Sequence, residues 1–114
     1  MDKKIQRGDI FWVDWSPGRG SEQMGKRPSL IIQNDLGNKF SSTTIVSSVT
    51  TAVNKPYPFL VSVPSEESGL PQDSIVDLAM IMTVNKDRLG QKCGELSPEK
   101  MAEVDQAIKV SLGL

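Results

Sequence analysis

The 114-residue chain has no histidine and a single cysteine, Cys93. Without an imidazole, neither His-based acid–base catalysis nor a His-bearing zinc site is available, and one thiolate cannot build a structural zinc cluster. The lone cysteine also excludes an intrachain disulfide and suits a reducing compartment. Aromatic side chains are scarce, at 5% of the chain, and one tyrosine and three phenylalanines beside two tryptophans expected in the core are too few for an aromatic peptide-binding groove. No apolar run approaches the roughly 20 residues of a membrane helix, and Met1-Asp2-Lys3-Lys4-Ile5 carries no apolar segment of signal-peptide length, so a cytoplasmic protein with no membrane partner is expected. Neither sign of charge dominates, with 13 basic and 14 acidic residues and a net charge of -1, which argues against a broad nucleic-acid-binding surface.

What is present is ordinary for one globular domain spanning residues 1–114, with 38% hydrophobic and 24% charged residues. The charge is unevenly placed. Residues 1–39 hold seven basic side chains against five acidic ones, whereas 56–84 hold Glu66, Glu67, Asp73 and Asp77 and no basic residue. Any contact with an anionic partner therefore belongs to the first third. With so few phosphate contacts, affinity would be modest and selectivity would have to come from base contacts.

Alternation predicts a strand over Ile10 to Trp15 that is apolar on both faces, with Phe11, Val13 and Trp15 on one and Ile10 and Trp12 on the other. Core packing is expected for both tryptophans. Further strands are predicted over Ser29 to Gln33, Thr43 to Thr50 and Phe59 to Val63, with Asn34 to Ser42 as a turn region. Pro56, Pro58 and Pro64 place the Phe59 strand near a sheet edge, and they suggest exposure for Tyr57. Asp73 to Leu78 and Met80 to Val84 form two short strands or one bent one, followed by a turn or short helix at Asn85 to Leu89. One helix is predicted over Pro98 to Leu112, capped by Ser97 and ended by Gly113, with Met101, Val104, Ile108 and Leu112 on its buried face. Short strands and one terminal helix predict a mainly β (α+β) fold, a small antiparallel barrel.

The stretch around which the chain is organised is Gly20-Ser21-Glu22-Gln23-Met24-Gly25-Lys26-Arg27-Pro28, running into Leu30-Ile31-Ile32. Two glycines bracket a polar loop, and Arg27-Pro28 ends it where a buried strand begins. An arginine fixed there presents a flat fork of donors suited to phosphate; spacing alone is equally met by a surface arginine in a solvated turn.

The run Arg7-Gly8-Asp9-Ile10-Phe11-Trp12-Val13-Asp14-Trp15-Ser16-Pro17, with Gly20-Ser21-Glu22-Gln23 and Lys26-Arg27-Pro28, resembles the MazF/PemK/Kid family of bacterial toxin endoribonucleases. The resemblance extends through Gln33-Asn34-Asp35, Ile45 to Thr51, Lys55 to Phe59, Gly69 to Ser74 and the last helix. It implies an SH3-like barrel of the CcdB/PemK type with the C-terminal helix packed on the sheet. It also implies metal-independent cleavage of single-stranded mRNA to a 2′,3′-cyclic phosphate and a 5′-OH, with no cofactor, a homodimer, and a cognate MazE-like antitoxin as partner.

By that resemblance Arg27 and Thr50 occupy the catalytic positions. Arginine is a poor base, so stabilisation of phosphate charge is the expected role of Arg27. Thr50 can donate to a phosphate oxygen, or can simply fill a strand. Glu22 is the one carboxylate in the motif loop and so the candidate base, although it could equally pair with Lys26 or Arg27. Ser21, Gln23, Lys26, Thr51 and Tyr57 are candidate RNA contacts, because single-stranded RNA splays bases that short polar side chains and aromatic faces can meet. The chain departs from the family pattern at Ala79-Met80-Ile81-Met82, where polar residues are usual. That difference bears on the RNA sequence recognised and on antitoxin contacts. The competing readings are a non-enzymatic, CcdB-like gyrase poison of the same fold and a plain peptide-binding module.

Overall fold

The computed structural model describes residues 4–20, 25–51 and 56–114. Its strands are β1 (Asp9–Asp14), β2 (Lys26–Ile31), β3 (Thr43–Thr51), β4 (Leu60–Val63), β5 (Ser74–Asn85) and β6 (Lys92–Glu95). Helices α1 (Asp35–Phe40), α2 (Ser65–Ser68) and α3 (Pro98–Leu112) complete the described elements, with one 3-10 turn at Lys86–Arg88. The strands form one antiparallel sheet in the order β4-β5-β3-β2-β1-β6, curled into a half-barrel with α3 against it. The proline-flanked strand β4 is at the sheet edge, as its composition predicts.

Alternation along the strands feeds two cores. Ile10, Leu30, Val49, Val61 and Val63 join Met101, Val104 and Ala107 of α3 on one face. Phe11, Val13, Trp15, Ile31 and Val46 join Ile5 and Leu89 on the other. Strand β5 serves both. Ser48 pairs with Asp77 while Ser47 pairs with Ile81, so one step along β3 is matched by four along β5. An odd excess of residues reverses the faces of a pleated strand. Val76 and Leu78 therefore belong to the α3 core, whereas Met80, Met82 and Val84 belong to the other. The bulge is held by Ser47 Oγ donating to the Asp77 carbonyl at 2.6 Å and by Ala79 N–H donating to Asp77 Oδ1 at 2.9 Å.

Helix α3 has the predicted span. Ser97 Oγ accepts from Lys100 N–H at 3.1 Å, and Gly113 at φ 73° closes the helix by donating to the Lys109 carbonyl. Its buried stripe is Met101, Val104 and Ala107, with Ile108 half-buried. Leu112 is exposed, correcting its predicted place: the last turn meets the sheet through Ser111, whose hydroxyl donates to the Leu78 carbonyl, and turns Leu112 outward. The region Asn34 to Ser42 is not a simple turn but contains α1, with Asn34 Oδ1 accepting from Gly37 N–H at 2.7 Å. The two β5 segments are one strand, and α2 and β6 are additions that the sequence pattern did not predict.

Trp12 also departs from its expected burial, being 43% exposed. Beside it runs the Gly90-Gln91 backbone, which exchanges hydrogen bonds with Trp12 but brings no side chain at Gly90 to cover the indole. Among the described residues no helix is long and apolar enough to cross a membrane.

Candidate active site

The pairing of β2 with β3 stops at Ser29↔Ser48. Beyond that point β2 stays paired with β1 as far as Lys26↔Asp14, and β3 stays paired with β5 as far as Thr51↔Ser74. A fork therefore opens between β2 and β3, and Pro28 stands at its base. Strand β2 turns alternate N–H groups towards β3: Ile32 donates to the Ile45 carbonyl at 2.9 Å, and Leu30 and then position 28 follow in that phase. Proline has no N–H to give there, so the ladder ends.

Arg27 and Thr50 lie two residues past the last pair, each on its own arm of the fork and both on the face shared by Ser29 and Ser48. Both are half-buried. The base of the fork is polar. Ser29 and Ser48 are fully buried, Trp15 Nε1 donates to Ser29 Oγ at 2.9 Å, and Ser29 Oγ donates to the Arg27 carbonyl at 3.2 Å. Asp77, paired with Ser48, continues this row onto β5. None of these four (Trp15, Ser29, Ser48 and Asp77) was singled out from sequence as a site residue. Two serines in apolar strands were the available signal, because a buried hydroxyl needs a partner.

Lys26 opens β2, exposed and opposite Asp14. The fold adds a second cation: Arg88, 74 residues away in sequence, donates through Nη2 to the Asp14 carbonyl at 2.8 Å. The Asp14 carboxyl is held below its ordinary range by the Ser16 N–H, then by the Ser16 hydroxyl and the charges of Lys26 and Arg88. Lys26 and Arg88 thus flank Asp14 from two distant segments, Lys26 from β2 and Arg88 from the edge of β1 that is turned away from the fork.

The remaining predicted residues divide. Thr51 is exposed at the end of β3, next to Thr50. Tyr57 is half-exposed in the turn before β4, two strands from Thr50, with its ring stacked on Phe59 at 5.3 Å between centroids. Ser21, Glu22 and Gln23 lie outside the described residues. Of the departing segment, Ala79 is exposed at the β5 bulge, while Met80 and Met82 pack against the core that contains Trp15.

The arrangement is one of fixed donors and positive charge beside an opening between strands, suited to a phosphodiester. A family model for the PemK-like, MazF-like toxin of type II toxin-antitoxin systems matches residues 6–112. The chain belongs to that family.

Its relatives are endoribonucleases. Endoribonuclease MazF of Staphylococcus epidermidis is 48% identical over 111 residues, which cover 96% of this chain and 92% of the relative. The chain is thus a homologue of MazF. Among solved structures, MazF from Deinococcus radiodurans superposes with a TM-score of 0.82 at 25% identity, over 99% of this chain and 100% of that one. A mycobacterial endoribonuclease in complex with its cognate antitoxin gives 0.80 at 26% identity, with 96% of each chain covered.

Proposed function

We propose that this chain is the toxin of a toxin–antitoxin pair, a sequence-selective endoribonuclease that cuts single-stranded mRNA without a metal. The observation that carries the reading is the fork at Pro28, which sets Arg27 and Thr50 on one face of the sheet, with Lys26 next to Arg27 in β2. In the reaction a ribose 2′-OH loses its proton to a base, its oxygen bonds to phosphorus, and the P–O5′ bond breaks as the leaving oxygen gains a proton. The products are a 2′,3′-cyclic phosphate and a 5′-OH. Charge on the phosphoryl oxygens peaks midway, and donors already aimed at that point lower the barrier most. Arg27 supplies the positive charge, and the Thr50 hydroxyl donates to a phosphoryl oxygen. Glu22 is the base on this reading. Ser21, Gln23, Lys26, Thr51 and Tyr57 hold the flanking nucleotides.

The family relationship supports a MazE-like antitoxin that competes with RNA for the fork carrying Lys26 and Arg27, for which an acidic, apolar tail is the fitting chemistry. A homodimer would join two such forks into one groove. Light scattering at micromolar concentration should give twice the 12.5 kDa of the chain; a monomer mass rejects the dimer. The central test is cleavage of a mixed-sequence single-stranded RNA in EDTA by the native chain and by Arg27→Ala. Cuts at a short recurring motif that vanish in the variant are expected. Inhibition of DNA supercoiling without RNA cleavage would favour a gyrase-blocking toxin instead.

A further inference from the structure

Beside Arg27 lies a buried hydrogen-bonded pair that the cleavage reading leaves unused. The Trp15 backbone N–H donates to the Gly25 carbonyl at 2.9 Å, so Trp15 stands opposite Gly25. Its indole N–H nonetheless donates to the hydroxyl of Ser29, four residues farther along β2. The indole therefore leans back along the curled sheet, over the row in which Val13 faces Arg27. The indole is 8% exposed and the serine is fully buried, so neither partner has water as an alternative. The serine hydroxyl then reaches back around Pro28 to the Arg27 carbonyl at 3.2 Å.

This anchoring falls on the open arm of the fork, where β2 is paired with β1 alone. Arg27 sits between Gly25, at φ 82°, and Pro28, which gives no ladder bond to β3. We propose that Trp15 and Ser29 are positioning residues for Arg27: the indole, locked by the serine, walls one side of the arginine stem, and the serine fixes its carbonyl, so the guanidinium is set before RNA arrives. The proposal rests on the phosphate-stabilising role assigned above to Arg27. Preorganised charge is worth more than charge that must be ordered in the encounter. Phenylalanine at position 15 would keep an aromatic ring there without the lock, and alanine at 29 would leave the indole N–H buried with no acceptor.

Two measurements on Trp15→Phe, Ser29→Ala, Ser29→Thr and the double variant Trp15→Phe/Ser29→Ala test it. The first is the NMR order parameter of the Arg27 Nε–H bond. The second is steady-state cleavage of an RNA that the native chain cuts. Expected are a lower order parameter and a kcat reduced about tenfold in Trp15→Phe and Ser29→Ala, with KM within about twofold. The double variant should be no worse than either single one, and Ser29→Thr should return both readouts towards native. An unchanged order parameter overturns the proposal, as does native kcat in the single variants when Arg27→Ala is inactive. Losses that add in the double variant and follow thermal stability alone overturn it too. If the native chain cuts no RNA, the ribonuclease reading falls, while the order parameter still decides whether Trp15 and Ser29 hold Arg27.

Discussion

Arg7 Nη2 lies 2.6 Å from Asp105 Oδ1, joining the segment before the first strand to the last helix across 98 residues of chain. The same side chain donates through Nε to the Ile32 carbonyl at 2.8 Å, and the Arg7 N–H donates to Asp35 Oδ1 at 2.7 Å. Asp105 is 48% exposed, so the ion pair itself adds little, at most about 1 kcal/mol. The bond to the carbonyl and the packing of the arginine stem make the larger contribution. Arg7→Met should lower unfolding stability by about 1–2 kcal/mol and Asp105→Asn by less than about 1 kcal/mol. Urea unfolding in low and high salt checks both, since the ion-pair part, which makes up most of the Asp105→Asn effect and a minor share of the Arg7→Met effect, should shrink as salt is raised. Equal losses at both salt levels would mean that the ion pair is stronger than its exposure allows.

Helix α1 depends on one buried amide. Asn38 Oδ1 accepts from Thr44 Oγ1 at 2.7 Å and from Gln33 Nε2 at 3.1 Å, while its Nδ2 donates to the Gln33 carbonyl at 2.9 Å and to Asp35 Oδ1 at 3.2 Å. Asn38→Asp has nearly the same shape but replaces the donating nitrogen by an oxygen facing two acceptors, one of them a carboxylate. The network is then left half satisfied in a site only 4% exposed. A loss of about 2–4 kcal/mol is expected, visible as a lower thermal midpoint at neutral pH. Partial recovery on acidification, as the new carboxyl takes up a proton, would identify the missing donor as the cause; a melting curve like the native one would deny the network its role.

These two networks show where the fold was legible in the sequence and where it was not. Helix α3 carries its own signals in Ser97, Pro98, Gly113 and a 3.6-residue apolar stripe, and its bounds are as predicted. The apolar pattern of α1 is thin by contrast. Leu36 and Phe40 are both exposed, and the helix is held by polar contacts to Gln33 and Thr44 that no periodicity reveals. Strand β6, Lys-Cys-Gly-Glu, is short and polar and exists because β1 offers it an edge. At the site, the Arg27-Pro28 step reads from sequence as a stop before a strand starting at Ser29, whereas β2 begins at Lys26 and contains both residues. What the step stops, the pairing of β2 with β3, depends on which strands become neighbours. The contact of Arg88 with the Asp14 carbonyl is equally distant in sequence.

Cys93 gives a prediction about pH. Burial pushes its thiol above the ordinary 9.0, since the thiolate would be poorly solvated beside the core that contains Ile10. The unfolded chain therefore loses this proton first. As pH rises past 9 the folded state keeps a proton that the unfolded state has released, and stability falls until the folded thiol also ionises. At pH 8 the native thiol should react with iodoacetamide at least about fivefold more slowly than the same thiol in urea. Equal rates would mean that the thiol is not shielded by the fold.

The fork itself can be tested at Pro28. Strand β1 turns the Trp12 backbone towards Gly90 and Gln91, so Pro28, opposite Trp12, faces β3 with its ring nitrogen. Pro28→Ala restores a donor there and allows β2 to continue zipping onto β3 towards Arg27 and Thr50. The new ladder bond would add about 0.5–1.5 kcal/mol, and the freer unfolded chain would cost about 0.4–1 kcal/mol. Stability should therefore change by less than about 1 kcal/mol, because the two effects are of similar size and opposite sign. Activity should not be spared: if the cleft admits phosphate as proposed, closing it is expected to lower RNA cleavage about tenfold. Hydrogen exchange supplies the structural half of the test, with the new amide at position 28 protected like its neighbours in β2. An amide that exchanges as freely as one in solvent would show that something other than the missing N–H holds the strands apart. A protected amide with undiminished cleavage would show that RNA does not enter between Arg27 and Thr50.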